Sequence, residues 1–292
     1  MTLPTISEED VRNLIPGVTE ITQCGQGGQK VVFRVAVGDR VFALKFALLP
    51  STYEPDDADV DESLLRAKRE TEIMNECKSP YIVKPGPIDL GTASIGAQKV
   101  LYFSEEFIDG HSLSEILRTN GPLGVGSLQQ LGLQVCSAID ELWSLGKIHR
   151  DVKPGNIMRR DERDEFVLLD AGLAFDIAGE SISAGMLVGT MAYFSPEQFE
   201  YTNRRVMDFR SDMFSLGVTL YEVATGIHPF LSPTKSISHL YTRITRHVPP
   251  PPSSVNPAIP PALDTVILRM MGKSPHLRYR RMSQLQEALA SI

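Results

Sequence analysis

The apolar pattern changes period at Phe107-Ile-Asp-Gly110, which limits the chain to folds that join a strand-rich first part to a helix-rich second part. Before that point, residues 31 to 47 (VVFRVAVGDRVFALKFA) alternate apolar and polar around Gly38-Asp39, as two antiparallel strands joined by a tight turn do. The runs Ile82 to Ile88 and Lys99 to Phe103 also read as strands. Glu62 to Cys77 sets Leu65, Ile73 and Met74 among charges, which suits a surface helix stopped at Ser79-Pro80. Beyond Gly110, helical periodicity runs through Leu128 to Leu145, Met213 to Thr225 and Met282 to Ile292, while Glu165 to Leu169 reads as a short strand. His247 to Pro257 holds five prolines and is expected to be a stiff surface connection without helix.

Charge and composition exclude several classes. No run approaches the ~18 apolar residues of a membrane span. The start, MTLPTISEEDVRNL, lacks a basic, apolar leader, so a cytoplasmic location is expected. Cys24, Cys77 and Cys136 are too widely spaced for a zinc site and odd in number, so three reduced thiols are expected. The net charge of −7 comes mostly from the first part, where 17 acids face 11 bases up to Phe107. Six of those acids fall within Glu54 to Glu62, a stretch read as a solvated loop, with contact to a basic regulator as the sharper alternative. An acidic chain without a basic face does not suit nucleic acid as a partner.

Four features bear chemistry. Gly25-Gln-Gly-Gly28 lies between two strand patterns, where glycines let backbone amides approach a phosphate, although a plain hairpin turn has the same look. Lys45 ends the apolar strand Val41-Phe-Ala-Leu-Lys45, and Glu70 on the following helix is able to hold it as an ion pair. Ile148-His-Arg-Asp-Val-Lys-Pro-Gly-Asn-Ile157 packs Asp151, Lys153 and Asn156 into six positions after a long apolar helix. Phe166-Val-Leu-Leu-Asp-Ala-Gly172 is an apolar strand ending in a carboxylate and a glycine.

The last two features resemble the catalytic loop and the metal-binding Asp-Phe-Gly segment of protein kinases, with Ala171 in place of the phenylalanine. The resemblance continues in order from about Ile15 to Ile292. Val188 to Glu197 is similar to the end of a kinase activation loop, with Ser195-Pro-Glu197 for Ala-Pro-Glu. Arg210 to Gly217 is similar to the buried core helix whose aspartate, here Asp212, holds the catalytic loop, and Arg278 stands where the family pairs an arginine with the glutamate matching Glu197. The chain is thus identified as a member of the eukaryotic-type (Hanks-type) serine/threonine protein kinases, bacterial-like in HRDVKPGNIM and its proline-rich loop.

That membership implies an α+β, bilobal fold: an N-terminal extension (1–14), a small antiparallel-sheet N-lobe with one main helix (15–107) and a larger, mainly helical C-lobe (108–292). It implies ATP with Mg²⁺, or Mn²⁺ in its place, and protein substrates phosphorylated on serine or threonine, with autophosphorylation in the activation loop. By position, Gly25, Gly27, Gly28, Val32, Ala43, Lys45 and Glu106 surround ATP, and Glu70 pairs with Lys45. Asn156 and Asp170 take the metal, Asp151 orients the substrate hydroxyl, and Lys153 steadies the γ-phosphate. Arg150 implies a basic pocket for a phosphorylated residue, with Ser181 and Ser183 as sites and Thr190 in a supporting role. Lys30 replaces the third loop glycine. Glu105 falls at the back of the adenine pocket, where a bulky apolar residue is usual, so its carboxylate needs a partner or a raised pKa. A pseudokinase scaffold and, lower, a small-molecule kinase are the alternatives.

Overall fold

The computed structural model describes residues 6–27, 30–49, 58–170, 189, 191–199, 207–231 and 236–292. It divides into two compact units that change over between Ile108 and Asp109, with Ser79–Ile82 joining the second.

The described part of the first unit is a five-stranded antiparallel sheet with two helices. Strands β1 (Val18–Gly27), β2 (Lys30–Val37), β3 (Arg40–Leu48), β4 (Gly91–Ile95) and β5 (Gln98–Glu106) are arranged β1-β2-β3-β5-β4. The turn between β2 and β3 is tight because Gly38 takes φ 58°, where a side chain is strained. The alternation of residues 31 to 47 buries Val31, Phe33 and Val35 from one strand against Phe42, Leu44 and Phe46 from the next.

Ile82 to Ile88 is not a strand. Pro85 and Pro87 lack the amides a ladder needs, and the segment makes only isolated bridges, Ile82 to Leu168 and Pro85 to Glu105. The strand lies later, at β4, where Gly91, Ala93 and Ser94 carry too little apolar surface to make a pattern.

The segment expected as an extension carries helix α1 (Glu8–Leu14), closed by a capping box in which the Asp10 amide donates to Ser7 Oγ and the Ser7 amide to Asp10 Oδ2. Ile6, Val11 and Ile15 then join the sheet core. Helix α2 (Ala58–Glu76) begins four residues before the expected start, so Asp59, Asp61 and Glu62 belong to helix rather than loop. Between Ala58 and Ser79 the sequence holds no proline or glycine to interrupt a helix. Residues 54 to 57 lie outside the described ones.

The second unit is mainly helical: α3 (Leu113–Asn120), α4 (Val125–Ser144), α5 (Phe209–Thr225), α6 (Ile237–Arg246), the single turn α7 (Pro252–Val255), α8 (Pro261–Met270) and α9 (Met282–Ala290). Its small sheet pairs β6 (Gly110–Ser112), β7 (Ile157–Arg160) and β8 (Phe166–Leu168). The turn α7 corrects the expectation of a helix-free 247–257. Proline at the first helical position loses no bond, so Pro252 starts the turn.

Helix α5 is buried along nearly its whole length and packs on α4 and α8. At the α8 crossing, a Cβ on Gly217 meets Met270 Cβ at 2.8 Å and Met271 Cγ at 3.1 Å. Gly217→Val should therefore force the helices apart and lower unfolding stability by about 1–3 kcal/mol, measured by chemical denaturation.

Candidate active site

The second unit assembles a constellation of polar side chains around one buried carboxylate. Asp212 near the start of α5 accepts the amides of His149 and Arg150, each at 2.7 Å. Burial raises its pKa above the ordinary range, while the nearby His149 and the two amides pull it down. Held this way, Arg150 adopts φ 68°, a backbone state that non-glycine residues enter only under constraint.

His149, to which the sequence reading gave no role, links both halves of the constellation. Its Nδ1 accepts the Asp151 amide at 3.3 Å, which leaves the proton on Nε2 to donate to the Leu169 carbonyl at 2.8 Å. The next residue, Asp170, is also left-handed, at φ 55°. The Leu169 amide donates to the Asn156 carbonyl at 2.8 Å, a second tie between the loop and the strand end.

Within the loop, Lys153 Nζ lies 2.8 Å from Asp151 Oδ2. Asn156 Nδ2 donates to that same oxygen at 2.8 Å and to the Asp151 carbonyl at 2.9 Å. Asp151 Oδ1 is buried and has no hydrogen-bond partner among the described residues. A carboxylate oxygen in that state is an acceptor waiting for a donor.

The first unit holds its own buried charge cluster. Lys45 on β3 is buried and its Nζ lies 2.6 Å from Glu105 Oε2 on β5. Glu105 thus meets the need for a partner that the sequence reading identified, and that partner is Lys45. Glu70 is fully buried on α2, with a carboxylate oxygen within 4.8 Å of one from Glu105. Val32 and Ala43 lie on neighbouring strands, in register with Lys45 and Glu105 respectively. Glu106 accepts the Lys84 amide at 3.0 Å. Gly25 and Gly27 stand on β1 opposite Val32 and Lys30, with a register break between Gln23 and Gly25. A Cβ on Gly25 meets only Val32, at 3.5 Å, so the fold itself does not demand a glycine there.

A third cluster braces the turn Pro196–Phe199. Arg278 forms a two-pronged pair with Glu197, at 2.6 and 2.9 Å, and also donates to the Arg210 and Gly272 carbonyls. Ser211 Oγ adds a bond to Glu197 at 2.8 Å. Gln198 accepts from Ser195 through the amide and hydroxyl, and donates to the Arg150 carbonyl at 3.1 Å. Gly28, Ala171, Ser181, Ser183 and Thr190 lie outside the described residues.

The family profile described as "Protein kinase domain" matches residues 18–289. The chain belongs to the protein kinase family. This kinase domain is 35% identical over 263 residues to serine/threonine-protein kinase pkn3 of Myxococcus xanthus, covering 86% of this chain and 45% of that one. It is 32% identical over 231 residues to serine/threonine-protein kinase PknB of Mycolicibacterium smegmatis, covering 78% and 36%. The kinase domain thus spans less than half the length of these relatives. Among solved structures it resembles Rad53 residues 1–466 in complex with AMP-PNP, with a TM-score of 0.69 and 22% identity over 92% of this chain and 63% of that one. It also resembles the Mycobacterium tuberculosis PknI kinase domain, with a TM-score of 0.65 and 21% identity over 94% and 96%. These likenesses agree with the α+β kinase fold. Among the described residues no helix is long and apolar enough to cross a membrane.

Burial alone raises the pKa of Glu197, but the Arg278 guanidinium outweighs it and holds the carboxyl below its ordinary value of 4.5. A carboxyl depressed by folding stabilises fully above its unfolded value and loses that contribution as pH falls through the folded one. The denaturation midpoint of the kinase domain should therefore drop as pH falls below 4.5, and less steeply in Glu197→Gln. Arg278→Ala strands the half-buried Glu197 carboxylate and should cost about 1–3 kcal/mol at pH 7.

Proposed function

We propose that this domain transfers the γ-phosphate of Mg-ATP to serine or threonine hydroxyls of proteins, including hydroxyls in its own activation segment. The observation that carries the reading is Asp151: one oxygen is held by Lys153 and Asn156, and the other is buried without a partner among the described residues. A hydroxyl donating to Oδ1 is oriented for attack, and its proton has an acceptor in place. Lys153, fixed on the neighbouring oxygen, supports the charge that develops on the transferred group.

The donor set suits a hard divalent cation. Asn156 uses its Nδ2 on Asp151, which turns its amide oxygen into the free ligand, and Asp170 adds a carboxylate. Bound there, Mg²⁺ offsets the negative charge of the β- and γ-phosphates. Lys45 is the cation for the α- and β-phosphates, with Glu70 as its helix-borne carboxylate, while Gly25 and Gly27 give backbone amides room to approach. Val32 and Ala43 bound the adenine, and the Glu106 backbone stands at the hinge. Arg150 is the basic receptor for a phosphorylated activation segment, in which Ser181 and Ser183 are the acceptors and Thr190 a support.

Lobe limits of 15–107 and 108–292 rest on the change of period at Phe107; the two compact units change over one residue later, after Ile108, and the first includes the segment before Ile15. A cytoplasmic location and a basic partner for residues 54 to 62 belong to the same reading.

Purified protein incubated with Mg²⁺ and γ-labelled ATP should label serine or threonine, mapped by mass spectrometry. Asp151→Asn should bind ATP yet transfer about 10²–10⁴-fold more slowly. Nucleotide binding with no transfer to any protein substrate would instead make the domain a scaffold, and transfer to aminoglycosides or choline alone would make it a small-molecule kinase.

A further inference from the structure

Lys45 and Glu105 stand on paired strands in the register Ala43 to Glu105 and Lys45 to Phe103. Side chains two residues apart share a face of a sheet, so Lys45 lies diagonal to Glu105, within reach of a long side chain. Lys45 Nζ lies 5.9 Å from the centre of the Phe103 ring and 2.6 Å from Glu105 Oε2. Side-chain exposure is 8% for the lysine and 2% for the glutamate, so water screens their attraction poorly.

Glu105 is also held in place. Its backbone is laddered to β3 on one side and bridged to Pro85 on the other. The following residue exchanges two bonds with Lys84: the Glu106 amide donates to the Lys84 carbonyl at 2.9 Å, and Glu106 Oε1 accepts the Lys84 amide at 3.0 Å. Opposite Glu105, Ala43 contributes only a methyl group and leaves the carboxylate room. The second acid, Glu70, comes from α2, so one carboxylate of this cluster is carried by the helix and the other by the sheet.

We propose that Glu105 is a sheet-borne counter-ion of Lys45 that competes with nucleotide phosphate for that ammonium and so sets the ATP affinity of this domain. The proposal rests on the reading of Lys45 as the phosphate ligand. An ammonium has three donors, so contact with Glu105 does not bar a phosphate. It does place a fixed negative charge a few ångströms from where each phosphate oxygen must arrive, in a site of low effective dielectric. At an effective dielectric constant near 20, one such charge weakens binding on the order of tenfold or more. A ligand without phosphates does not feel this repulsion.

The test is isothermal titration of MgATP and, separately, adenosine into the wild-type protein, Glu105→Gln, Glu105→Leu, Lys45→Met and the Lys45→Met/Glu105→Gln double variant. The Glu105→Gln variant should bind MgATP about tenfold more tightly with adenosine unchanged, and its KM for ATP should fall more than its kcat changes. The gain should shrink when Lys45 is already methionine, because the competition for the ammonium is then gone and only the direct repulsion of phosphate remains.

Glu105→Leu keeps the test alive should the amide variant fold poorly, because it too should raise the ratio of MgATP to adenosine affinity. An unchanged ratio in both variants, or weaker MgATP binding, overturns the proposal, since a change in the wall of the adenine site shifts both ligands together. Lys45→Met binding MgATP as well as wild type removes the lysine from phosphate binding, and that separate result would bring down the underlying reading along with the proposal.

Discussion

The two amides held by Asp212 set the geometry of the second unit's reactive loop. A carboxylate buried at the start of α5 is costly unless hydrogen-bonded, and here its partners are the backbones of His149 and Arg150. That bond holds Arg150 in a left-handed state and thereby fixes the direction in which Asp151 leaves the turn. His149 carries the constraint onward to Leu169, and so to the backbone that presents Asp170. The dependence runs one way. The helix is secured by its apolar burial against α4 and α8, whereas the loop, although it buries Val152 and Ile157, depends on the Asp212 bonds to hold Arg150 at positive φ.

The first unit solves its positioning problem differently. Lys45 stands on the central strand of a ladder and finds its ion partner on the adjacent strand, so register rather than a buried helix places the charges. The helix-borne acid, Glu70, comes from α2, which buries Ala67 three residues before it and Ile73 and Met74 three and four residues after it.

Much of this was legible in the sequence because chemistry and period coincided. The alternation around Gly38-Asp39 gave the β2–β3 turn, and the apolar runs gave α4 and α5 to within a few residues. The HRDVKPGN loop named Asp151, Lys153 and Asn156, and spacing along the family pattern paired Glu197 with Arg278 across 81 residues. Strand β4 was illegible because its residues are small and half exposed, and Ile82 to Ile88 misled because apolar content outweighed its two prolines. His149 was passed over for a physical reason: its work is to place backbone through both ring nitrogens, and a sequence shows which side chains can react more readily than which ones brace. Glu105 stood out as a carboxylate in an apolar position, but its partner lay on another strand, far away in sequence, and only pairing register could supply it.

Helix α1 bears on how the domain can be handled. The family match begins at Val18, yet Val11 and Ile15 bury side chains in the same core as Ile21, Val35 and Phe42. A shortened chain that began where the match begins would uncover an apolar floor under the first three strands. Those strands carry the glycines and Lys45, so loss of the helix would show first as adhesive, aggregation-prone material and only then as a catalytic defect. Boundaries taken from similarity alone would cut away a piece of the foundation.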